Sequence, residues 1–387
     1  MRKLIGGAIA AAVVFCAAQA QAATIKVGVI GPFSGPFAHY GKLYKDSVEA
    51  YLASQGGKFG GHEVQVLYRD NGGPNPSGTR ALAQELIVKD KVDYLGGFVF
   101  TPNAMAVAPL ITQSKTPTVI FNAATSDITE KSPYFIRTSY TLWQVTVPAA
   151  RWAHKQGKRK MVTAVTDYAP GVDAETAFKT EFAKLGGTVV ESIRMPISTT
   201  DFAPFVQRIK ASGAEGVYVF LPGGPPNLGF VKAYNENGLR AAGIDFLGSA
   251  ETDEFDLQKF GDAALGLTTA FHYSAAHESE ANRKFVEALR GQSKDAVANY
   301  ASVGAWDGMA VIQKMVEATG GKRDGAAAIE AARKLSWESP RGPVSIDPAT
   351  RHVTQNVYLR KVERSGGQLI NKEVENFGPQ PDFGLRK

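Results

Sequence analysis

Ile25-Lys26-Val27-Gly28-Val29-Ile30-Gly31-Pro32-Phe33-Ser34-Gly35-Pro36-Phe37-Ala38-His39-Tyr40-Gly41 is the stretch that decides the architecture. It opens with a short apolar run, passes through a Gly/Pro loop, and leads into the amphipathic residues Lys42–Ser54. A buried strand that runs straight into such a loop and then a helix is how an α/β lobe begins, with its ligand edge at the carboxyl end of the strand. Immediately upstream, Arg2 and Lys3 form a basic n-region, Leu4 to Ala18 is apolar, and Ala20-Gln21-Ala22 is a small-x-small cleavage site. Residues 1–22 therefore read as a secretory signal peptide, which predicts an exported protein.

The only cysteine, Cys16, lies in that leader. Phe15 precedes it where a lipid-attachment site wants a small residue, so no lipid anchor is expected. The mature chain then has no disulfide, no thiolate-metal site and no cysteine nucleophile. Removing 22 of 387 residues leaves 365, too many for one ordinary core and suited to two domains. At 44% hydrophobic and 21% charged the composition is that of a globular protein. No later apolar run reaches the roughly 18 residues of a membrane span. Without Arg2 and Lys3 the formal charge drops from +6 to +4, and only Lys155–Lys160 clusters basic residues, which excludes a nucleic-acid partner.

From Ile25 to about Asp245, short β-branched runs alternate with amphipathic stretches, the mark of βαβ units and a mostly parallel sheet. Strands are predicted at 25–30, 63–68, 92–96, 117–121, 160–166, 188–194, 216–221 and 244–248. Helices are predicted over 42–54, 79–89, 103–113, 172–185 and 202–211, then 279–289, 300–319 and 325–335, with a last strand at 353–362. In the fourth helix Ala174, Phe178, Phe182 and Leu185 recur at a spacing of 3–4, a core-facing stripe. The alternation pauses near Pro133–Thr141 and again near His272–His277, so element counting predicts two doubly wound lobes whose late helices return to the first. No residue-level repeat supports the duplication.

Enzyme chemistry is hard to find. Gly31–Gly35 lacks the G-x-S-x-G spacing of a nucleophile elbow, and neither a P-loop nor G-x-G-x-x-G is present. The six histidines include no i,i+4 pair, leaving no metal site and no cofactor expected. A secreted hydrolase built from sequence-distant residues is the remote alternative.

Five blocks, Ile25–Gly41, Gly96–Pro109, Ala123–Thr129, Asp167–Gly171 and Gly248–Asp253, together resemble the leucine/isoleucine/valine-binding branch of the type I periplasmic solute-binding proteins. The resemblance covers the mature chain in order and spacing. It implies two Rossmann-like lobes joined by a three-crossing hinge, residues 23–139 plus 275–341 and residues 140–274 plus 342–387. It also implies a monomer that closes over a small solute and delivers it to the membrane permease of an ABC importer.

Thr101-Pro102 reads as an N-cap followed by N1, with the alternative that the Thr101 hydroxyl and the free amides of that helix end bind a carboxylate. By resemblance, Ala123 and Thr125 of Ala123-Ala124-Thr125 contact the ligand's carboxylate and ammonium, Tyr40 borders the pocket, and Tyr168 replaces an aromatic lost at Pro170. Phe220 opens a loop that closes on the ligand, and Glu251 falls near the acid that pairs an ammonium in the amino-acid receptors. Phe100, Phe121, Trp143, Tyr168 and Phe220 all sit at strand ends or crossings that should face the cleft. Ring packing can add roughly 0.5–1.5 kcal/mol per pair, so the preferred solute is a small aromatic carboxylate of the benzoate or hydroxybenzoate kind. A branched-chain or other aliphatic amino acid is the alternative, and short amides and urea come third.

Overall fold

The computed structural model describes residues 24–385; the leader, with Cys16, and residues 386–387 lie outside them. The opening run forms β1 (Ile25–Gly31) and feeds α1 (Ala38–Ser54). There follow β2 (Lys58–Phe59), β3 (His62–Asp70), α2 (Pro76–Gln84, continued by a π turn over Glu85–Lys89), β4 (Tyr94–Gly97), α3 (Thr101–Ser114), β5 (Thr118–Ile120) and β6 (Phe135–Arg137). Their sheet runs β2-β3-β1-β4-β5-β6, parallel except for the β2–β3 hairpin. Along β1 the side chains alternate, as a pleat requires. Val27 and Val29 pack in the cluster that holds Tyr44 and Val48 of α1, while Ile30 joins Leu86, Leu95, Val107 and Ile111 on the other face.

The second series comprises α4 (Leu142–Lys155), β7 (Lys160–Thr166), α5 (Ala169–Lys184), β8 (Thr188–Met195), α6 (Ala203–Ala211), β9 (Gly216–Phe220), α7 (Pro225–Glu236), β10 (Asp245–Gly248) and β11 (Thr268–Phe271). Three helices come next, α8 (Glu280–Gln292), α9 (Tyr300–Thr319) and α10 (Gly325–Ala332). The chain ends with β12 (Ser336–Ser339), β13 (Gly342–Ile346), β14 (Val353–Ser365) and β15 (Gln368–Gln380). The second sheet runs β12-β13-β14-β11-β10-β9-β7-β8, with β15 paired to β14. Helices α8 and α9 pack on α1, and α10 on α9, so the late helices do return to the first lobe. The chain thus crosses between lobes three times, after β6, after β11 and after α10.

Helix α4 and the short strands β2 and β6 were not read from the sequence, and three further features depart from it. β12 pairs with β13 in the second sheet, so the last crossing precedes it rather than falling after residue 341. Helix α7 lies where Pro222-Gly223-Gly224-Pro225-Pro226 looks like a breaker; the two helical prolines occupy its first positions, which need no amide donor. Strands β11, β12, β13 and β15 are too short or too polar on one face to stand out, and β11 and β13 are completed by pairing with the long β14.

Candidate functional site

In doubly wound sheets ligands bind beyond the carboxyl ends of the strands. Here those ends face each other across the lobes. At the end of β4, Phe98 takes a left-handed backbone (φ 67°), a conformation that costs a non-glycine residue about 1–3 kcal/mol. It is held there because its N–H donates to the Ile30 carbonyl (2.9 Å), its own carbonyl accepts the Ala123 N–H (2.9 Å), and its ring is buried in the core. The kink swings Val99 and Phe100 into the cleft. On the opposite lobe α5 packs so tightly on the end of β7 that a Cβ on Gly171 would stand 1.8 Å from the Thr166 carbonyl oxygen. That close approach sets Tyr168 and Pro170 against the same cleft.

Between them lies a narrow cavity, about 20 Å³ in this closed form. The first lobe contributes Tyr40, Val99, Phe100, Asn122, Ala124 and Tyr300; the second contributes Tyr168, Pro170 and Phe220 through Gly223; Tyr140 comes from the first crossing. Tyr168 and Phe220 lie nearly parallel (18°, centroids 6.2 Å apart), forming an aromatic wall. Phe100 is braced edge-on by Phe37 at 4.9 Å, and Tyr140 by Phe271 at 4.8 Å. None of the lining residues is an Asp, Glu, Lys or Arg.

Charge of one sign is nevertheless favoured there. Phe100, Tyr168 and Gly224 are the N-caps of α3, α5 and α7, and none of the three supplies a side-chain capping bond. The first amides of a helix lack intrahelical acceptors and carry the positive end of its dipole, so these termini prefer an anion. The tyrosines add hydroxyl donors. Burial holds the Tyr40, Tyr140, Tyr168 and Tyr300 hydroxyls above the usual phenol value, so all four stay protonated.

The lobes are closed on each other. The Gly223 N–H of the second lobe donates to Tyr40 Oη (3.1 Å), which is itself 2.5 Å from Tyr300 Oη. The His39 ring stacks on Phe255 (4.9 Å, 24°), and the Ser126 N–H donates to Asp173 Oδ2 of α5 (2.9 Å). Tyr40→Phe removes the acceptor from Gly223 and leaves a buried N–H unpaired in the closed form. We expect it to weaken solute binding about tenfold, measured by calorimetry, because an orphaned buried donor costs about 1–3 kcal/mol.

Of the residues singled out from sequence, Tyr40, Phe100, Tyr168 and Phe220 line this one cavity. The others do not. Thr101 is the first helical residue of α3, not its cap, and its hydroxyl bonds Thr125 Oγ1 at 2.9 Å beneath the surface. Asn122 and Ala124 line the cavity, while Ala123 joins the core behind β4 and Thr125 is tied to Thr101. Phe121 is core, edge-on to Tyr44 at 5.5 Å. Trp143 stands in the first turn of α4 beside Gly384 of the C-terminal tail.

Glu251 is fully buried behind the wall. Its carboxylate accepts the Leu221 N–H (2.9 Å) and the Ser249 N–H (2.5 Å), tying down the loop that carries Leu221. Burial pushes its carboxyl up to about 7. It does not line the cavity, and its hydrogen bonds hold the loop. Tyr140 and Tyr300 escaped the sequence reading because one lies in a crossing and the other begins a late helix; the Asn299 capping box announces that helix but not the direction of its first side chain.

A sequence profile of the periplasmic binding protein family matches residues 24–368. Leu/Ile/Val-binding protein homolog 6 of Brucella melitensis is 54% identical over 373 residues, 96% of each chain. A solute-binding protein of an ABC transporter from R. palustris, solved in complex with 4-hydroxybenzoate, is 55% identical with a TM-score of 0.92, covering 94% of this chain and 99% of that one. Another from Rhodopseudomonas palustris BisB5, in complex with 3,4-dihydroxybenzoic acid, is 43% identical with a TM-score of 0.89, covering 93% and 99%.

Proposed function

The chain belongs to the periplasmic binding protein family, and from that premise we propose that it is the solute receptor of an ABC importer whose cleft captures a small aromatic carboxylate of the benzoate or hydroxybenzoate kind. One observation carries the choice of solute: the cavity has stacked aromatic walls and helix N-termini but no ionised side chain. Uncharged donors and positive helix ends suit a carboxylate. An amino acid would also bring an ammonium, and nothing in the lining pairs it, because Glu251 is spent on backbone amides. The benzoate-type ligands of the R. palustris proteins support the same reading. A branched-chain amino acid is the second reading, favoured by the name of the Brucella relative.

We read the protein as a receptor and not an enzyme, working in the periplasm after removal of residues 1–22, with the importer's permease as its partner. The family supports each of these points, and among the described residues no helix is long and apolar enough to cross a membrane. Binding then works by closure, the solute bridging two lobes that otherwise part about the three crossings.

Native mass spectrometry with 4-hydroxybenzoate should give a 1:1 complex from which the ligand is recovered at unchanged mass, and small-angle scattering should give a smaller radius of gyration with ligand than without. Recovery of an altered compound would favour the hydrolase reading. An unchanged radius at saturation would remove the closure mechanism.

A further inference from the structure

Resting on the aromatic-acid reading, we propose that Asn122 is the residue that selects for a hydrogen-bond donor on the ligand's ring, so that the receptor is tuned to ring-hydroxylated benzoates over benzoate itself. Asn122 lines the cavity and is 6% exposed. Its Nδ2 donates to the Val99 carbonyl at 3.1 Å, which fixes which way the amide faces, since the reverse orientation would set two oxygens against each other. The Oδ1 is thereby committed as the acceptor on the other side of the amide, and it is buried without a hydrogen-bond partner.

A buried polar atom left unpaired in a native structure calls for an explanation, and because Asn122 lines the cavity, the ligand is the explanation proposed here. Since Oδ1 accepts only, its complement is an O–H or N–H. A carboxylate cannot serve, because it too only accepts. The rest of the cavity supplies what a carboxylate needs. Tyr40 Oη receives the Gly223 N–H, and one proton is shared between Tyr40 and Tyr300, so their two hydroxyls keep one proton uncommitted as a donor. Donors for an anion and a single buried acceptor for a hydroxyl together describe a hydroxybenzoate.

Sites built to hydrogen-bond a substrate hydroxyl discriminate strongly against the analogue lacking it, because the buried partner is then left unpaired. The test is calorimetry with 4-hydroxybenzoate, 4-aminobenzoate, benzoate and 4-fluorobenzoate on the wild-type protein and on Asn122→Leu. The two compounds with a ring donor should bind wild type at least tenfold more tightly than the two without. In Asn122→Leu that gap should close, with benzoate binding as well as before or better. The wild-type series stands even if the variant does not fold. Equal wild-type affinity for all four, or a preference that survives in a folded Asn122→Leu, overturns the assignment while leaving the aromatic-acid receptor intact. Failure of all four to bind would instead overturn the aromatic-acid reading on which it rests.

Discussion

Leucine is expected to bind at least a thousandfold more weakly than 4-hydroxybenzoate. Both carry a carboxylate that the helix ends of α3, α5 and α7 and the tyrosine hydroxyls can receive, so the difference lies in what else each molecule brings. The ammonium of leucine would have to leave water for a cavity lined by neither Asp nor Glu. An uncompensated buried charge costs several kcal/mol, and each 1.4 kcal/mol is about tenfold in affinity. Leucine also forfeits the ring contacts with Tyr168, Phe220 and Phe100. A ligand at a hundredfold excess over its Kd stabilises the folded state by about 2.7 kcal/mol, about 4 °C in melting temperature for a chain of this size. A thermal-shift panel of benzoate, 4-hydroxybenzoate, leucine, isoleucine, valine and urea should therefore move with the aromatic acids and stay flat with leucine. A large shift with leucine and none with any aromatic acid would restore the amino-acid reading.

Arg341→Met should cost about 3–5 kcal/mol of stability, the usual penalty for stranding one partner of a buried ion pair. Arg341 is fully buried. Its Nη2 donates to Asp307 Oδ2 (2.5 Å) and to the Thr138 carbonyl (2.5 Å), and its Nη1 donates to Gln355 Oε1 (2.7 Å) and lies 3.1 Å from His272 Nδ1. Thr138 belongs to the first crossing and His272 to the second, and Arg341 follows the third, so one guanidinium ties all three strands of the hinge. Asp307, on α9, also accepts from Trp337 Nε1 (2.9 Å) and Ser339 Oγ (2.6 Å), anchoring the group to the first lobe. With methionine at 341, Asp307 keeps its charge and loses its countercharge. Urea denaturation should show the loss directly. Adding Asp307→Asn should recover a good part of it, because removing both charges avoids the stranded one. A loss under about 1 kcal/mol in the single variant would mean that the crossings do not depend on this network.

How much of this was readable in advance depends on the distance over which the cause acts. The run Ile25–Ile30, the loop after it and the stripe Ala174, Phe178, Phe182 specify strands and helices through neighbours two to four residues away, and periodicity reports such causes directly. The eight strands predicted between Ile25 and Asp245 are all present to within a few residues. The aromatic character of the site was visible as well, because Tyr40, Phe100, Tyr168 and Phe220 sit at strand ends or the helix starts after them, which any doubly wound lobe turns toward its cleft.

What the sequence could not decide is which way a side chain faces once local periodicity ends. Ala123 and Thr125 were expected at the ligand, yet Asn122 and Ala124 line the cavity; the loop is held by hydrogen bonds from the Phe121 N–H to Gly97 and from the Ala123 N–H to Phe98, at the end of a different strand. Glu251 read as a partner for an ammonium, and only the folding of β9 beside β10 shows that backbone amides from Leu221 and Ser249 already claim it. Tyr40 and Tyr300 meet across 260 residues of chain, and Tyr140 stands 6.1 Å from Tyr300, because the late helix α9 packs back on α1 beside the first crossing. The sequence by itself determined the early strands, most of the helices and the supply of aromatic rings, all governed by near neighbours, while α4, α7 and the short or late strands escaped it. The polarity of the cleft, on which the proposed preference for an aromatic acid over an amino acid rests, was set by tertiary hydrogen bonds that consume some polar groups and leave Asn122 Oδ1 unspent.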